Sequence, residues 1–417
     1  MLEMIGSVKR MARLLVLNTA LRPPRVRHCS QTIYEVLLGC CRMWESTGDQ
    51  RWKERADRVL QLLLAIQQPD GGFDIGYDFN FGRLHKRGDS TSPELVGLVA
   101  LCEYGRLFGT ALVAGAAKRA AEWIRTHAQL QGADEVAIPY SPYTINETMV
   151  YNGTSFACGA LGVYLGVFDG DDELIGIYRG MLRYLDRVMS RAEDMPGRFW
   201  YYCDQSRNDW DEHRRVKIDY YHQMQQVEMH SLAQQLTPDL VQERIIRDAA
   251  DHVAALHERH PIIPYTNDPR YFKDQVHLWG LSSVIPGMLE AGVVLREFRP
   301  GYERVAKEVF EWIRANAWNG FSFEAVLNKD GSRVEPRYYM VRSDAWVFNA
   351  CASAAKHLGA GAWNDMAEKC FATMEAANFS GMESHASCFR RRVFAGILVG
   401  LKRAVDRKPA PDSNLKQ

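Results

Sequence analysis

Apolar residues recur at helical spacing through most of the chain, and short polar turns divide the helical stretches into pairs. In the first pair, apolar positions run over residues 33–44, a Ser-Thr-Gly-Asp turn follows, and a second apolar stretch covers residues 52–66. The same order of helix, short turn, helix and long loop then repeats. This pattern predicts a series of helical hairpins.

The short turns are evenly spaced along the chain, about 60 residues apart. Each contains a residue that ends helices, and their centres are Gly48, Gly109, Gly170, Pro238, Gly301 and Gly361. Glycine ends one helix of a hairpin, and a neighbouring Asp or Thr caps the next. A repeat of this length, present six times, is typical of a repeat architecture.

The two helices of each pair differ in polarity. The first is apolar on nearly all sides, as in residues 156–167, whereas the second has one charged face, as in residues 243–256. A helix that is apolar all round is buried, and an amphipathic helix covers it. We therefore predict an all-α fold, an (α/α)6 toroid of helical hairpins with the long loops at one end. A last helix over residues 393–405 is expected to close the ring against the first.

We predict three segments along the chain: a basic leader over residues 1–27, the toroid over residues 28–407, and a disordered tail over residues 408–417. The leader carries basic and no acidic residues between positions 9 and 27, so a peripheral contact with a membrane surface stays open. The formal net charge is zero, which disfavours nucleic acid as a partner. Nine cysteines without a C-x-x-C pair favour a reducing, cytoplasmic compartment.

The long loops combine aromatic residues with Asp, Asn, Arg and His. This mixture suits sugars, because aromatic rings stack on the apolar faces of pyranoses and the polar groups bind hydroxyls. Packing of the same aromatic residues at the mouth of the toroid is the alternative. The predicted substrate-binding residues, which come from all six loops, are Asp74, Tyr77, Asp78, Arg87, Tyr151, Asp219, Trp279, Arg337, Arg342, Asp344, Trp346 and His385.

Three segments resemble known families. Residues 67–73, Gln-Gln-Pro-Asp-Gly-Gly-Phe, resemble the motif that ends hairpins in α/α toroids such as terpene cyclases, prenyltransferase β-subunits and many carbohydrate-active enzymes. Residues 151–153, Tyr-Asn-Gly, are similar to segments of glucuronyl C5-epimerases. Residues 217–222, Lys-Ile-Asp-Tyr-Tyr-His, resemble toroid proteins encoded with bacterial exopolysaccharide synthesis, whose general plan heparinase-like polysaccharide lyases share.

These resemblances imply an enzyme that acts on an acidic, uronic-acid-containing glycan by removing the proton on C5, as a lyase or an epimerase. They imply that Asn152 and His222 bind the carboxylate and that Tyr221 or Tyr220 is the base, with His277 as a further catalytic candidate. No dinucleotide fingerprint, phosphate loop or short metal-ligand spacing is present, so we predict no cofactor and no metal. The oligomeric state stays open.

Other functions fit parts of the same pattern. A glycoside hydrolase needs two carboxylates that face one bond, and the candidates are Asp74, Asp78, Asp219, Asp344 and Glu383. A non-catalytic glycan-binding toroid would keep the aromatic loops without acid–base groups. Residues 169–172, Asp-Gly-Asp-Asp, match the acidic motif of class II terpene cyclases. Because they fall in a short turn, we predict a helix N-cap there instead.

Overall fold

The computed structural model describes residues 28–379, except 77–78, 81–83, 86–87, 143–148, 204–215, 269–273, 296–299, 321 and 335–339. Within these residues, twelve long helices form six hairpins. The first three hairpins are α1 (Ser30–Thr47) with α2 (Gln50–Ile66), α3 (Val96–Phe108) with α4 (Ala114–His127), and α5 (Tyr151–Phe168) with α6 (Asp172–Val188).

The other three hairpins follow the same order. They are α7 (Tyr220–Leu236) with α8 (Leu240–Arg259), α10 (Val284–Val294) with α11 (Pro300–Asn316), and α12 (Val341–Leu358) with α13 (Ala362–Ala376). A short helix, α9 (Leu278–Leu281), precedes α10.

Strands in the described residues are confined to the long loops. They form three antiparallel pairs: β1 (Phe79–Asn80) with β2 (Leu84–His85), β3 (Gln129–Leu130) with β4 (Val136–Ala137), and β5 (Gln275–His277) with β6 (Val326–Asn328). The last pair joins two different loops, since Val276 faces Leu327 in its register.

The first helix of each hairpin belongs to an inner ring. Helices α1, α3, α5, α7, α10 and α12 pack each against the next, and α12 packs against α1, so the ring is closed. The second helix of each hairpin packs outside its partner. The predicted all-α (α/α)6 toroid is therefore confirmed. The predicted closing helix over residues 393–405 lies outside the described residues, and α12 and α1 close the ring by direct contact.

Small residues let the inner helices approach closely. Gly159, Gly162 and Gly166 lie on one face of α5, and each faces α7. A Cβ atom built on Gly159 would lie 2.7 Å from the Cβ of Met229, so no larger side chain fits without moving a helix. This contact sets the distance between α5 and α7.

The short turns mostly follow the prediction. Gly48 ends α1 in the left-handed conformation (φ 65°) and its N–H donates to the Trp44 carbonyl. Asp171 caps α6 by accepting the Leu174 N–H at 3.0 Å, which confirms the N-cap interpretation of the acidic run. One predicted turn centre is wrong: Gly301 lies inside the first turn of α11. The chain ahead of it, residues 296–299, is outside the described residues.

Charged side chains close the lumen of the ring below its middle. Arg42 of α1 donates through Nη1 to Glu228 of α7 at 2.8 Å and to Asn349 of α12 at 2.7 Å. Its Nη2 lies 3.3 Å from an Oε1 of Glu290 on α10. Asn349 in turn donates to Glu35 at 2.7 Å. The lumen is therefore a funnel that is closed at its lower end.

A buried histidine on another face of α7 is also paired. His230, on α7, contacts Ser155 Oγ through Nε2 at 2.9 Å and Gln242 through Nδ1 at 3.3 Å. Together with Glu228, it is a polar group paired within the ring. Among the described residues, no helix combines the length and apolar character that crossing a bilayer requires.

Candidate active site in the funnel

The long loops lie at one end of the toroid, where every inner helix begins. The N-terminal turns of these helices carry unpaired amide donors and partial positive charge. Several predicted site residues lie in or just before these turns, including Asn152 in α5, His222 in α7 and Arg342 in α12. The fold therefore gathers residues that are far apart in sequence around the floor of one funnel.

His222 and Asp219 form the central polar pair of the floor. Asp219 caps α7 and accepts the backbone N–H of His222 at 3.1 Å. Its Oδ2 also lies 2.8 Å from Nδ1 of the His222 ring, which is within ion-pair distance. The angle between the two groups is not that of a linear hydrogen bond. Nδ1 is thereby oriented to Asp219, which leaves Nε2 as the ring nitrogen for a ligand.

Positive charge keeps Asp219 ionised. Burial alone would raise its pKa, but His222, Lys217 and the hydrogen bonds from His222 outweigh burial and hold the pKa well below its usual range. Lys217 Nζ lies 3.2 Å from Asp219 Oδ2 and donates to the Tyr265 hydroxyl at 3.1 Å. The ammonium group also lies 4.6 Å from the centres of the Tyr202 and Tyr265 rings.

Trp279 lies next to both His222 and Arg342. The His222 ring lies 5.4 Å from the Trp279 ring, and the guanidinium of Arg342 lies 4.5 Å from the centre of a Trp279 ring. Trp346 meets Trp279 edge-on at 5.4 Å. An arginine over an indole face is favourably placed by cation–π attraction, and the N–H donors of its guanidinium suit an anionic oxygen. Of the predicted residues, Asp219, His222, Trp279, Arg342 and Trp346 are thus brought together.

His277 lies behind this group, on β5. Burial, together with the positive charge of Arg342, lowers the pKa of His277 to about 4, although Asp219 acts to raise it. The imidazole is therefore neutral near pH 7. Its Nε2 atom is fully buried.

A second polar cluster, which the sequence did not predict, lies where α1 and α3 begin. Glu94 is fully buried, and its carboxylate accepts hydrogen bonds from Gln31 Nε2 at 2.8 Å and from Ser30 Oγ. Burial raises the pKa of Glu94 to about 7, although these hydrogen bonds and nearby Arg342 act to lower it. A Pro at position 93 followed by Glu is an ordinary helix-start signal, so nothing in the local sequence distinguishes this carboxylate.

Several predicted site residues do not face the funnel. Tyr221 is fully buried, and its hydroxyl donates to the Ile263 carbonyl at 3.1 Å. Burial, with a smaller effect of Asp219, raises its pKa, so this phenol is poorly placed to act as a base. Tyr220 stacks against His252 of α8, and Tyr151 packs edge-on against Tyr184 of α6. These two tyrosines lie between inner and outer helices.

Two predicted carboxylates have structural contacts. Asp344 is fully buried and accepts the backbone N–H of Phe323 at 2.9 Å. Asp74 accepts the backbone N–H of Gly88 at 2.8 Å, and its carbonyl accepts from Ser30. The remaining predicted residues lie outside the described residues or among those whose side chains are not described: Tyr77, Asp78, Arg87, Arg337, Glu383 and His385.

A separate cavity of about 640 Å³ opens at the opposite end of the toroid. Its walls include Asp239 and Glu243 of the α7–α8 hairpin and Val293 at the end of α10. Asp239 is occupied as the cap of α8, where it accepts the Val241 N–H at 2.7 Å. The paired histidine, the arginine and the tryptophans are all in the funnel, so we place the candidate active site there. In the part of the chain that the structure describes, no group of three or more His, Cys, Asp or Glu residues is arranged to hold a metal.

The fold is shared with solved structures of low sequence identity. A sugar epimerase from a ruminal bacterium matches with a TM-score of 0.59 and 12% identity, over 84% of this chain and 96% of that one. A D-mannose isomerase matches with a TM-score of 0.57 and 12% identity, over 80% and 88%. A family 76 glycoside hydrolase from a bovine Bacteroides thetaiotaomicron strain matches with a TM-score of 0.58 and 9% identity, over 80% and 70%.

No protein-family model and no curated protein matches the sequence. At identities of 9–12%, the matches establish the α/α-toroid fold, which these epimerases, isomerases and hydrolases share. The sequence-based resemblance to α/α toroids that act on carbohydrates is confirmed at the level of the fold.

Proposed function

We propose that this chain is a carbohydrate-active enzyme that removes a proton from a sugar carbon next to a carbonyl or carboxyl group. His222 is the base in this proposal. The observation that carries it is the 2.8 Å approach of Asp219 Oδ2 to Nδ1 of His222. A carboxylate in this position fixes the ring and stabilises the imidazolium that forms when Nε2 takes a proton.

The electron balance of the step assigns a role to Arg342. When His222 takes the proton, the C–H bond breaks and its electron pair moves into the neighbouring carbonyl, which becomes an enolate oxygen. A preorganised cation that contacts this oxygen lowers the barrier because the charge develops in the transition state. Arg342, largely buried and placed over Trp279, has the donors for such a contact.

The enolate can react further in three ways. Reprotonation on the other face gives an epimer, reprotonation on the neighbouring carbon gives an isomer, and loss of a leaving group gives an unsaturated product. Support for C2 chemistry on an aldose comes from the fold shared with a sugar epimerase, a cellobiose 2-epimerase and a D-mannose isomerase. Support for C5 chemistry on a uronic acid comes from the cations Arg342 and Lys217 beside the site. Proton abstraction is common to both.

Glycoside hydrolysis has less support in this site. It requires two carboxylates that face one glycosidic bond. Among the described residues, Asp219 is paired with His222 and Lys217, and Asp344 is bonded to the backbone of Phe323. We therefore place proton abstraction ahead of hydrolysis.

The test is solvent exchange. Purified protein is incubated in deuterium oxide with D-mannose, cellobiose, D-glucuronate and a glucuronate-containing oligosaccharide, and the products are examined by NMR. Deuterium at C2 of the aldoses or at C5 of the uronates, lost in a His222→Gln variant, is the expected result. An unsaturated uronate identified by its ultraviolet absorbance would assign elimination. New reducing ends without deuterium would overturn the proposal in favour of hydrolysis.

A further inference from the structure

Several polar side-chain atoms in the upper part of the ring are buried without a hydrogen-bond partner among the described residues, and four of them belong to side chains around the floor of the funnel. They are Gln31 Oε1, Asn152 Oδ1, Gln226 Oε1 and Trp346 Nε1. Their residues are between 3% and 8% exposed. Leaving one such group unpaired is unfavourable, and native proteins contain few of them. These four atoms are therefore candidates to bind the polar groups of a ligand.

These residues surround the floor of the funnel. Gln31 and Asn152 are each the second residue of an inner helix, and Gln226 lies one turn below His222 on the same face of α7. Trp346 meets Trp279 at 5.4 Å, and Trp279 lies 5.4 Å from the His222 ring. The residues thus come from four inner helices at the level of His222.

The position of Asn152 relative to His222 follows from Phe156. Phe156 lies one turn below Asn152 on α5, and its ring is 6.2 Å from the His222 ring. Gln31 lies at the start of α1, where its Nε2 donates to Glu94 at 2.8 Å. With Nε2 bonded to Glu94, the amide atom of Gln31 that is left for a ligand is the acceptor Oε1. Gln31 Oε1 therefore has to be satisfied by a donor.

The chemistry of the four atoms selects the ligand. Three are amide oxygens, which accept hydrogen bonds, and one is an indole N–H, which donates. Carboxylates and phosphates only accept, so three amide oxygens would repel an anionic group. A sugar hydroxyl donates and accepts, and can therefore serve both kinds of atom.

We infer that Gln31, Asn152, Gln226 and Trp346 form a hydroxyl-binding subsite for an uncharged sugar ring beside His222. The inference deepens the proposed function and rests on it for the identification of the ligand as a sugar. It assigns the sugar hydroxyls to the amide oxygens and leaves Arg342 for the C1 carbonyl oxygen that ring opening exposes, which becomes the enolate oxygen when C2 loses its proton. It also changes the expected substrate, since the ring bound at the floor is neutral rather than a uronate.

The experiment is calorimetric titration of D-mannose, cellobiose and D-glucuronate into the full chain and its variants. We expect the neutral sugars to bind the unmodified chain more tightly than glucuronate. Gln226→Met, which keeps the length of the side chain without the amide, should weaken this binding about fivefold to a hundredfold. Trp346→Phe should weaken it as well. The thermal midpoint of the ligand-free Gln226→Met variant should stay the same or rise, because Gln226 Oε1 has no partner to lose.

Gln235→Met is the matched control on the same helix. Gln235 Nε2 donates to Glu290 Oε2 at 2.9 Å, near the opposite end of α7. This control should lower the thermal midpoint and leave sugar affinity unchanged. A fall in the midpoint for Gln226→Met as well would indicate a structural role and overturn the inference.

The other outcomes are equally decisive. Tighter binding of glucuronate than of the neutral sugars, or no binding of any sugar, would overturn the subsite. Unchanged affinity in both Gln226→Met and Trp346→Phe would mean that water alone fills these positions. Binding of neutral sugars without deuterium exchange would support the subsite while removing the proposed function.

Discussion

Arg42 and Glu228 meet across the centre of the toroid, 2.8 Å apart, although 186 residues separate them in the sequence. Their helices, α1 and α7, are the first and fourth of six in the inner ring and so lie opposite each other. Both side chains are almost fully buried. Since neighbouring inner helices already contact each other, this pair adds a connection across the ring and closes the funnel from below.

Removal of Arg42 should destabilise the whole ring. Arg42→Met would leave Glu228 buried without its cation, while Glu290 keeps His357, and breaking a buried pair in this way costs about 3–5 kcal/mol. The measurement is the free energy of unfolding in urea. Arg51→Ala is the control, because its ion pair with Asp49 is exposed to solvent and its loss should change the free energy of unfolding little. Equal stability of Arg42→Met and the unmodified chain would contradict the role assigned to this pair.

Loss of the Asp219 charge should reduce activity and change the response to acid. Asn still caps a helix, so Asp219→Asn should keep α7 while the His222 ring loses its anionic partner. We expect turnover on the substrate found by deuterium exchange to fall about a hundredfold or more.

The same variant tests the pH dependence of stability. The folded-state pKa of Asp219 lies below the unfolded value of about 3.9, so its charge stabilises the fold above that pH, and this contribution is lost as the pH falls. Thermal melting from neutral to acidic pH should therefore show a steeper loss of stability in the unmodified chain than in Asp219→Asn. Parallel curves would contradict the lowered pKa.

Glu94 should affect stability in the opposite direction. Its folded-state pKa of about 7 exceeds the unfolded value of about 4.3, so the folded chain holds the proton more tightly. Stability should therefore decrease as the pH rises through this interval, by about 4 kcal/mol in total. Glu94→Gln carries no titrating proton and should lack this decrease. Urea unfolding at several pH values between about 5 and about 8 measures the difference, and a constant difference between the two chains would contradict it.

The sequence predicts the hairpins well because they depend on local pattern. The helical spacing of apolar residues, together with turn residues such as Gly48, predicts the helices and their order. Six repeats in turn predict the closed ring. The orientation of single residues is harder to predict. Tyr221 and His222 are adjacent and equally plausible by composition, yet about 100° of helical rotation separates them. His222 faces the funnel, while Tyr221 packs against Gly280.

Long-range contacts explain the residues that the sequence missed. Glu94 becomes a buried carboxylate with a raised pKa only because Ser30 and Gln31, more than 60 residues away, surround it. Gln226 is one glutamine among several on α7, and its local sequence gives no sign that its amide oxygen lacks a partner. Such properties arise from the assembled ring, which a motif search does not describe.

The spacing of the inner ring can be tested with two glycines of the same hairpin. Gly159 of α5 faces Met229 of α7, where a new Cβ would lie 2.7 Å from the Met229 Cβ and 3.0 Å from its carbonyl carbon. A backbone atom at this distance cannot move by changing a rotamer, so Gly159→Ala has to displace one helix. Overpacking of this kind costs about 1–3 kcal/mol, which we expect as a lower free energy of unfolding.

Gly176, on the outer helix α6, is the matched control. No atom lies within 4 Å of the position that its Cβ would take, so Gly176→Ala meets only open space. Since alanine is the better helix former, this change should raise the free energy of unfolding by about 0.5–1 kcal/mol. Opposite signs for the two substitutions would show that close approach of α5 and α7, rather than glycine's backbone freedom, explains Gly159. A stabilising Gly159→Ala would mean that the inner helices have room to spare and that the ring is looser than its contacts indicate.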